Sequence, residues 1–152
     1  HAAFASPATR YLDLDGSLLF VHTNNHGSPS GLCVDNSSVV TPAEWATMLD
    51  GMGAFGTLVV TMEQCYSGAF LQPTLDHSKA SRTSFASAVP ADKVSAGDSH
   101  FDQWARTWFE AVNGATAYGA SLAHDPDSNA NAYGDAHPDP VQRVDPAHPC
   151  TL

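Results

Sequence analysis

Cationic residues are the scarcest resource in this chain: six Lys plus Arg stand against sixteen Asp plus Glu among 152 residues, a formal net charge of −10. Nothing in that balance offers the positive footprint that nucleic acid or an anionic membrane surface requires, so no nucleic acid and no membrane is expected as partner. Long apolar runs are also missing; none approaches the roughly 20 residues that cross a bilayer. The start, His1-Ala2-Ala3-Phe4-Ala5-Ser6-Pro7, has neither the basic opening nor the apolar stretch of a signal peptide, and it is not Met. A mature or partial product is therefore expected. Cysteine is sparse and odd in number, three in all. There is no internal repeat.

What is present is a globular composition, 43% hydrophobic and 14% charged, in a length that suits one hydrophobic core. Ser17 to His22 is a short apolar run after the turn-forming Asp15-Gly16, and its pattern predicts a strand buried on both faces. Thr23 to Ser30, rich in Asn, Gly, Ser and Pro, reads as a loop. Thr41-Pro42-Ala43-Glu44 predicts a helix start: Thr caps, Pro suits the first helical position, and Glu three residues after the cap completes a capping box. Trp45, Met48, Leu49 and Met52 follow at helical spacing. Thr57 to Met62 predicts a second buried strand, rich in β-branched residues, and Thr83 to Val89 a shorter third one.

Further on, Phe101, Trp104, Ala105, Trp108, Phe109 and Val112 recur at helical spacing, with Gly114 placed as a terminator. Their aromatic stripe is read as core packing. From Asp125 the chain turns to Asp, Asn, Pro and His, which predicts irregular structure or a docked extended segment. The expected division is a core over residues 1–123 and an extension over 124–152 packed on it. Strand, helix, strand, strand, helix is the order of an α/β fold with a mainly parallel sheet flanked by helices, and in such sheets chemistry gathers at the carboxyl ends of the strands.

Two candidate residues stand just beyond such ends. Cys65 follows the second strand in a turn containing Gly68, where backbone N–H groups are left free to hold an oxyanion. His26 follows the first, and one helix between the two strands suits a parallel crossover that would bring both to one crevice. A cysteine nucleophile needs a base or a positive field nearby. Either residue alone is weak; placed together at equivalent strand ends, they predict a His26–Cys65 dyad. Cys33 and Cys150 then either pair with each other or stay as two thiols. Asn36-Ser37-Ser38 matches a glycosylation sequon, a triplet common by chance. Asp125, Asp127 and Asn129 place oxygens at alternate positions. They either bind Ca2+ or form a solvated turn, and Ala130 and Ala136 stand where a calcium loop has Gly and Glu. His124, His137 and His148 are too scattered for zinc.

The blocks Leu18-Leu19-Phe20-Val21 leading to His26-Gly27-Ser28, and Leu58-Val59-Val60 leading to Glu63-Gln64-Cys65-Tyr66-Ser67-Gly68, resemble the caspase/legumain superfamily of cysteine peptidases. The likeness is greatest to bacterial legumain-like or caspase-like domains and covers about Leu12 to Gly114. It implies a three-layer caspase-like fold, here partial, since two strands that normally precede the histidine strand are missing. The chain is then a fragment, or another chain or copy completes the sheet, or that part is lost. The resemblance also implies a thiol protease needing no cofactor, with a peptide or protein as substrate. His26 and Cys65 would be its catalytic residues, and the Gly27 and Cys65 N–H groups its oxyanion hole. Glu63, Ser95 and Asp102 would form a pocket suited to Asn or a basic side chain before the cut. A first-turn helix position is the alternative role for Asp102. The alternative function is an inactive, self-assembling protein that kept the core, because an open strand edge invites strand addition. An extracellular or periplasmic location is expected.

Overall fold

The computed structural model describes residues 16–95 and 141–144. Its core is a four-stranded sheet in the order β1 (Leu18–Thr23), β5 (Phe55–Met62), β6 (Ala80–Ser87), β7 (Val141–Val144), with a small second sheet of β2 (Gly27–Ser28), β3 (Gly31–Cys33) and β4 (Val39–Val40). β1 (Leu18–Thr23) runs parallel to β5 (Phe55–Met62), which in turn runs parallel to β6 (Ala80–Ser87). Two helices cross between these strands. α1 (Pro42–Asp50) precedes β5, and α2 (Leu71–His77) follows a short 3-10 turn at Ser67–Phe70 and precedes β6. Two successive crossovers that advance the sheet in one direction with the usual right hand put both helices on one face. α1 and α2 accordingly pack against each other. The fold is mixed α/β with a parallel sheet and two helices, part of a caspase-like architecture; one helical layer lies within the described residues.

α1 starts where its sequence says it should. Thr41 Oγ1 accepts the Glu44 N–H at 3.1 Å, and Glu44 Oε2 accepts the Thr41 N–H at 2.9 Å, with Pro42 in the first turn. Both ends of the capping box are closed, which satisfies two of the orphan donors at this terminus. Trp45 and Leu49 point into the core, joined by Met52, Phe55, Leu58, Val60, Met62, Phe70 and Phe85. The Trp45 indole N–H donates to Thr74 Oγ1 at 2.8 Å, and the Thr74 hydroxyl donates to the Phe70 carbonyl at 2.7 Å. The polar tip of the indole is thereby satisfied inside an apolar layer.

Three sequence expectations shift. Among the described residues the core meets one face of β1: Leu19 and Val21 reach the helical layer, while Leu18 and Phe20 alternate to the other face at 54% and 38% exposure. Period-2 alternation makes this split unavoidable for an apolar run with one covered face. β5, in contrast, is buried along its whole length. β6 begins at Ala80, earlier than the apolar run suggested, because Ser81 and Arg82 pair in the sheet although they are polar and exposed. The stretch expected as a loop after β1 contains β2 (Gly27–Ser28), antiparallel to β3 (Gly31–Cys33), which pairs with β4 (Val39–Val40).

The helix expected around Phe101 to Val112 lies outside the described residues, as does the division at residue 123. Within the Pro-rich stretch, β7 (Val141–Val144) pairs antiparallel with β6, Ser87 opposite Val141 and Ser84 opposite Val144.

Candidate active site

β1 and β5 end level with each other, Thr23 opposite Met62, so the segments that follow them leave the sheet side by side. A hydrogen bond ties them: the Thr23 hydroxyl donates to Gln64 Oε1 at 2.6 Å. The Glu63 N–H also donates to the Thr23 carbonyl at 3.2 Å. These contacts fix where the His26 loop meets the Cys65 turn.

At that meeting point the backbones touch. A methyl group placed on Gly27 would lie 1.9 Å from the Cys65 carbonyl oxygen and 2.9 Å from its carbon. No side chain fits there, so Gly27 is a close-approach glycine. Through it His26 is seated beside Cys65 in space, though 39 residues away in sequence. The imidazole-bearing residue is held from both sides, its N–H donating to Asn25 Oδ1 at 2.7 Å and its carbonyl accepting the Cys33 N–H at 2.9 Å. The side chain of His26 itself is exposed.

Cys65 occupies a tight, pinned turn. Tyr66, directly after it, has φ of 61°, the left-handed region that a bulky residue rarely adopts. What holds it there is the segment after β6. The Tyr66 N–H donates to the Lys93 carbonyl at 2.7 Å, and the Gly68 N–H to the Val89 carbonyl at 3.0 Å. The Cys65 thiol lies 3.6 Å from the Ser95 carbonyl oxygen, as its donor. Gly68 leaves no room for a Cβ, which would come within 2.8 Å of the Val89–Ala91 backbone. Cys65 and Cys33 are both free thiols, each partly buried.

Glu63 is buried at the mouth of β5, and its partner is one that sequence reasoning missed. His22 Nε2 lies 2.7 Å from Glu63 Oε1, while His22 Nδ1 lies 2.9 Å from the Thr61 hydroxyl. In the parallel register His22 stands opposite Thr61, and Thr61 and Glu63, two apart, share the face of β5 away from the helices. Buried polar residues at i and i+2, Thr61 near the end of β5 and Glu63 just past it, were the visible signal. Their partner depended on the register, which the sequence does not display.

Of the expected site residues, His26, Gly27, Glu63, Cys65 and Ser95 converge on one end of the parallel sheet. Asp102 and the candidate calcium residues Asp125, Asp127 and Asn129 lie outside the described residues. Among the described residues no group of three His, Cys, Asp or Glu side chains is arranged to hold a metal.

A model of the peptidase C13 family matches residues 15–133. The chain belongs to this family. Peptidase C13 is the legumain family of cysteine peptidases, and its match extends over both blocks from which the resemblance was read. No curated protein matches the chain.

Proposed function

We propose that this C13 chain is a cysteine endopeptidase acting through His26 and Cys65. The observation that supports the reading is the packing of Gly27 on the Cys65 backbone, which is what a histidine loop and a cysteine turn acting together would need. In the reaction, Cys65 sulfur adds to the substrate carbonyl carbon, and the N–H groups of Gly27 and Cys65 receive the developing oxyanion. The thiol proton passes by way of His26 to the departing amine as the C–N bond breaks. Water then hydrolyses the thioester, releasing the acid and restoring the thiol. Glu63 and the Ser95 segment line the pocket for the side chain before the cut, which suits a carboxamide or a cation.

Cys65→Ala is expected to abolish peptide hydrolysis and labelling by a thiol-directed peptide probe. Its urea midpoint should stay near that of the parent, since one partly buried sulfur is removed. Labelling that persists in this variant, on Cys33 or Cys150, sinks the reading.

A further inference from the structure

Gln64 stands directly before Cys65 in the chain and is 2% exposed. A substrate in the crevice does not reach it, so its bearing on a reaction passes through its neighbours. Its Oε1 accepts the Thr23 hydroxyl at 2.6 Å, and its Nε2 donates to the Met62 sulfur at 3.5 Å. Its backbone carbonyl accepts the Ser67 N–H at 3.2 Å, where the short turn after Cys65 opens. Its stem lies against Gly27: a methyl group on that glycine would come 3.0 Å from Gln64 Cγ.

We propose that Gln64 is a positioning residue, its side chain seating the His26 loop on the Cys65 turn. This rests on the endopeptidase reading, in which those two segments carry the reacting groups. Thr23 precedes His26 in the loop and Gly27 follows it, and one side chain meets both. The amide oxygen holds the first, and the stem supports the second. Between them Asn24, Asn25 and His26 are exposed, and the bond from the His26 N–H to Asn25 lies within the loop itself. The placement of His26 is therefore set at the ends of its loop. The backbone bond from the Glu63 N–H to the Thr23 carbonyl forms whatever the side chains are. The Thr23–Gln64 bond is different, because it needs a hydroxyl and an acceptor at those two positions.

A carboxamide suits the place. It accepts and donates at once while carrying no charge, so its burial leaves neither a bare ion nor an idle polar group. The bond from Thr23 is at the short end of the range for a hydroxyl donor. Shortening the side chain would leave that hydroxyl without this acceptor and Gly27 without its floor.

The test removes the bond and keeps the volume. Thr23→Val exchanges the hydroxyl for a methyl, Gln64→Met keeps an unbranched stem without the acceptor, and Thr23→Ser retains a donor. With a fluorogenic peptide at 25 °C, kcat should fall by at least about tenfold in Thr23→Val and in Gln64→Met. A full displacement of reacting groups by 1 Å costs on the order of a hundredfold. KM should stay within about twofold of the parent, because neither side chain meets the substrate. The double variant should be no slower than the slower single one, since both changes delete the same bond. Thr23→Ser should keep the parental kcat. Amide hydrogen exchange gives a reading independent of turnover: in Thr23→Val it should quicken over 24–33 and stay parental over α1.

The inference is overturned by parental kcat in Thr23→Val, by a loss confined to KM, or by losses that add in the double variant. It is equally overturned if Thr23→Ser is as slow as Thr23→Val, or if exchange quickens as much in α1 as in the loop. Should Gln64→Met fail to fold, the two Thr23 variants decide alone. Hydrolysis and Cys65 labelling in the parent, matched by the variants, leave the endopeptidase reading standing. Absence of both in the parent overturns the two together.

Discussion

Gly27 and Gly53 make an instructive pair of glycines. A Cβ on Gly53 meets nothing within 4 Å, whereas one on Gly27 runs into the Cys65 carbonyl at 1.9 Å. Gly27→Ala must push the histidine loop and the cysteine turn apart, because neither partner at the contact is a flexible side chain. Overpacking of this kind costs about 1–3 kcal/mol, and displacing reacting groups by about 1 Å costs on the order of a hundredfold in rate. The expectation for Gly27→Ala is a loss of at least that size in kcat/KM and a lowered urea midpoint, with Gly53→Ala within about 0.5 kcal/mol of the parent and fully active. Equal activities in the two variants would remove Gly27 from the site. At this scale the positions of His26 and Cys65 just past β1 and β5 were readable, because apolar runs mark where those strands end. The sequence was silent on His22, whose partner is set by a register between strands 39 residues apart.

Among the elements, α1 was the most legible because its signals are local. Thr41, Pro42 and Glu44 lie within four residues, and the hydrogen bonds they predict are the ones formed. β1 was misjudged for the opposite reason. Whether Leu18 and Phe20 are covered depends on what lies over the outer face of the sheet, which no run of six residues encodes. β2–β3–β4 escaped notice since two- and three-residue strands carry no periodicity to read. The capping box also separates stability from chemistry. Thr41→Ala removes an N-cap hydroxyl that Glu44 and its N–H both use, so stability should fall by about 1 kcal/mol. The α1 start lies at the carboxyl end of the sheet, as a parallel crossover requires, but the Thr41 hydroxyl bonds Glu44 within its own first turn. Hydrolysis at 25 °C should thus be unchanged, with the loss visible only in the urea midpoint. A parallel drop in kcat/KM would mean that α1 positions the site directly.

For the molecule as a whole, the parallel sheet and its helical layer followed from the order of apolar runs, since crossovers of one hand admit few arrangements. Among the described residues, three carboxylates bear on its behaviour in acid. Hydrogen bonds from the Ser37 backbone and the Ser37 and Ser38 side chains hold Asp35 below the usual carboxylate range. The Thr41 N–H and hydroxyl do the same for Glu44, and Lys79, then His77, for Asp50. Each group binds its proton more weakly folded than unfolded, so each contributes stability that is present above the ordinary carboxylate value and lost as pH falls through the folded one. The net charge of −10 acts the other way. Protonation relieves its self-repulsion, a broad effect that is spent over the exposed surface. Below about pH 4.5, the ordinary value for Glu, the specific bonds are broken one by one, and the urea midpoint should drop steadily from there to pH 3. Salt tells the contributions apart. The Asp50 pairs with Lys79 and His77 are exposed ion pairs, both 2.7 Å long, and 1 M NaCl should screen them. The turn around Asp35 is held by neutral donors and should respond far less. Asp50→Asn should therefore flatten the acid limb at low salt and make little difference at high salt, whereas Asp35→Asn should flatten it in both. A limb that Asp35→Asn leaves intact at either salt concentration would show that the hydrogen-bonded turn is already present in the unfolded chain.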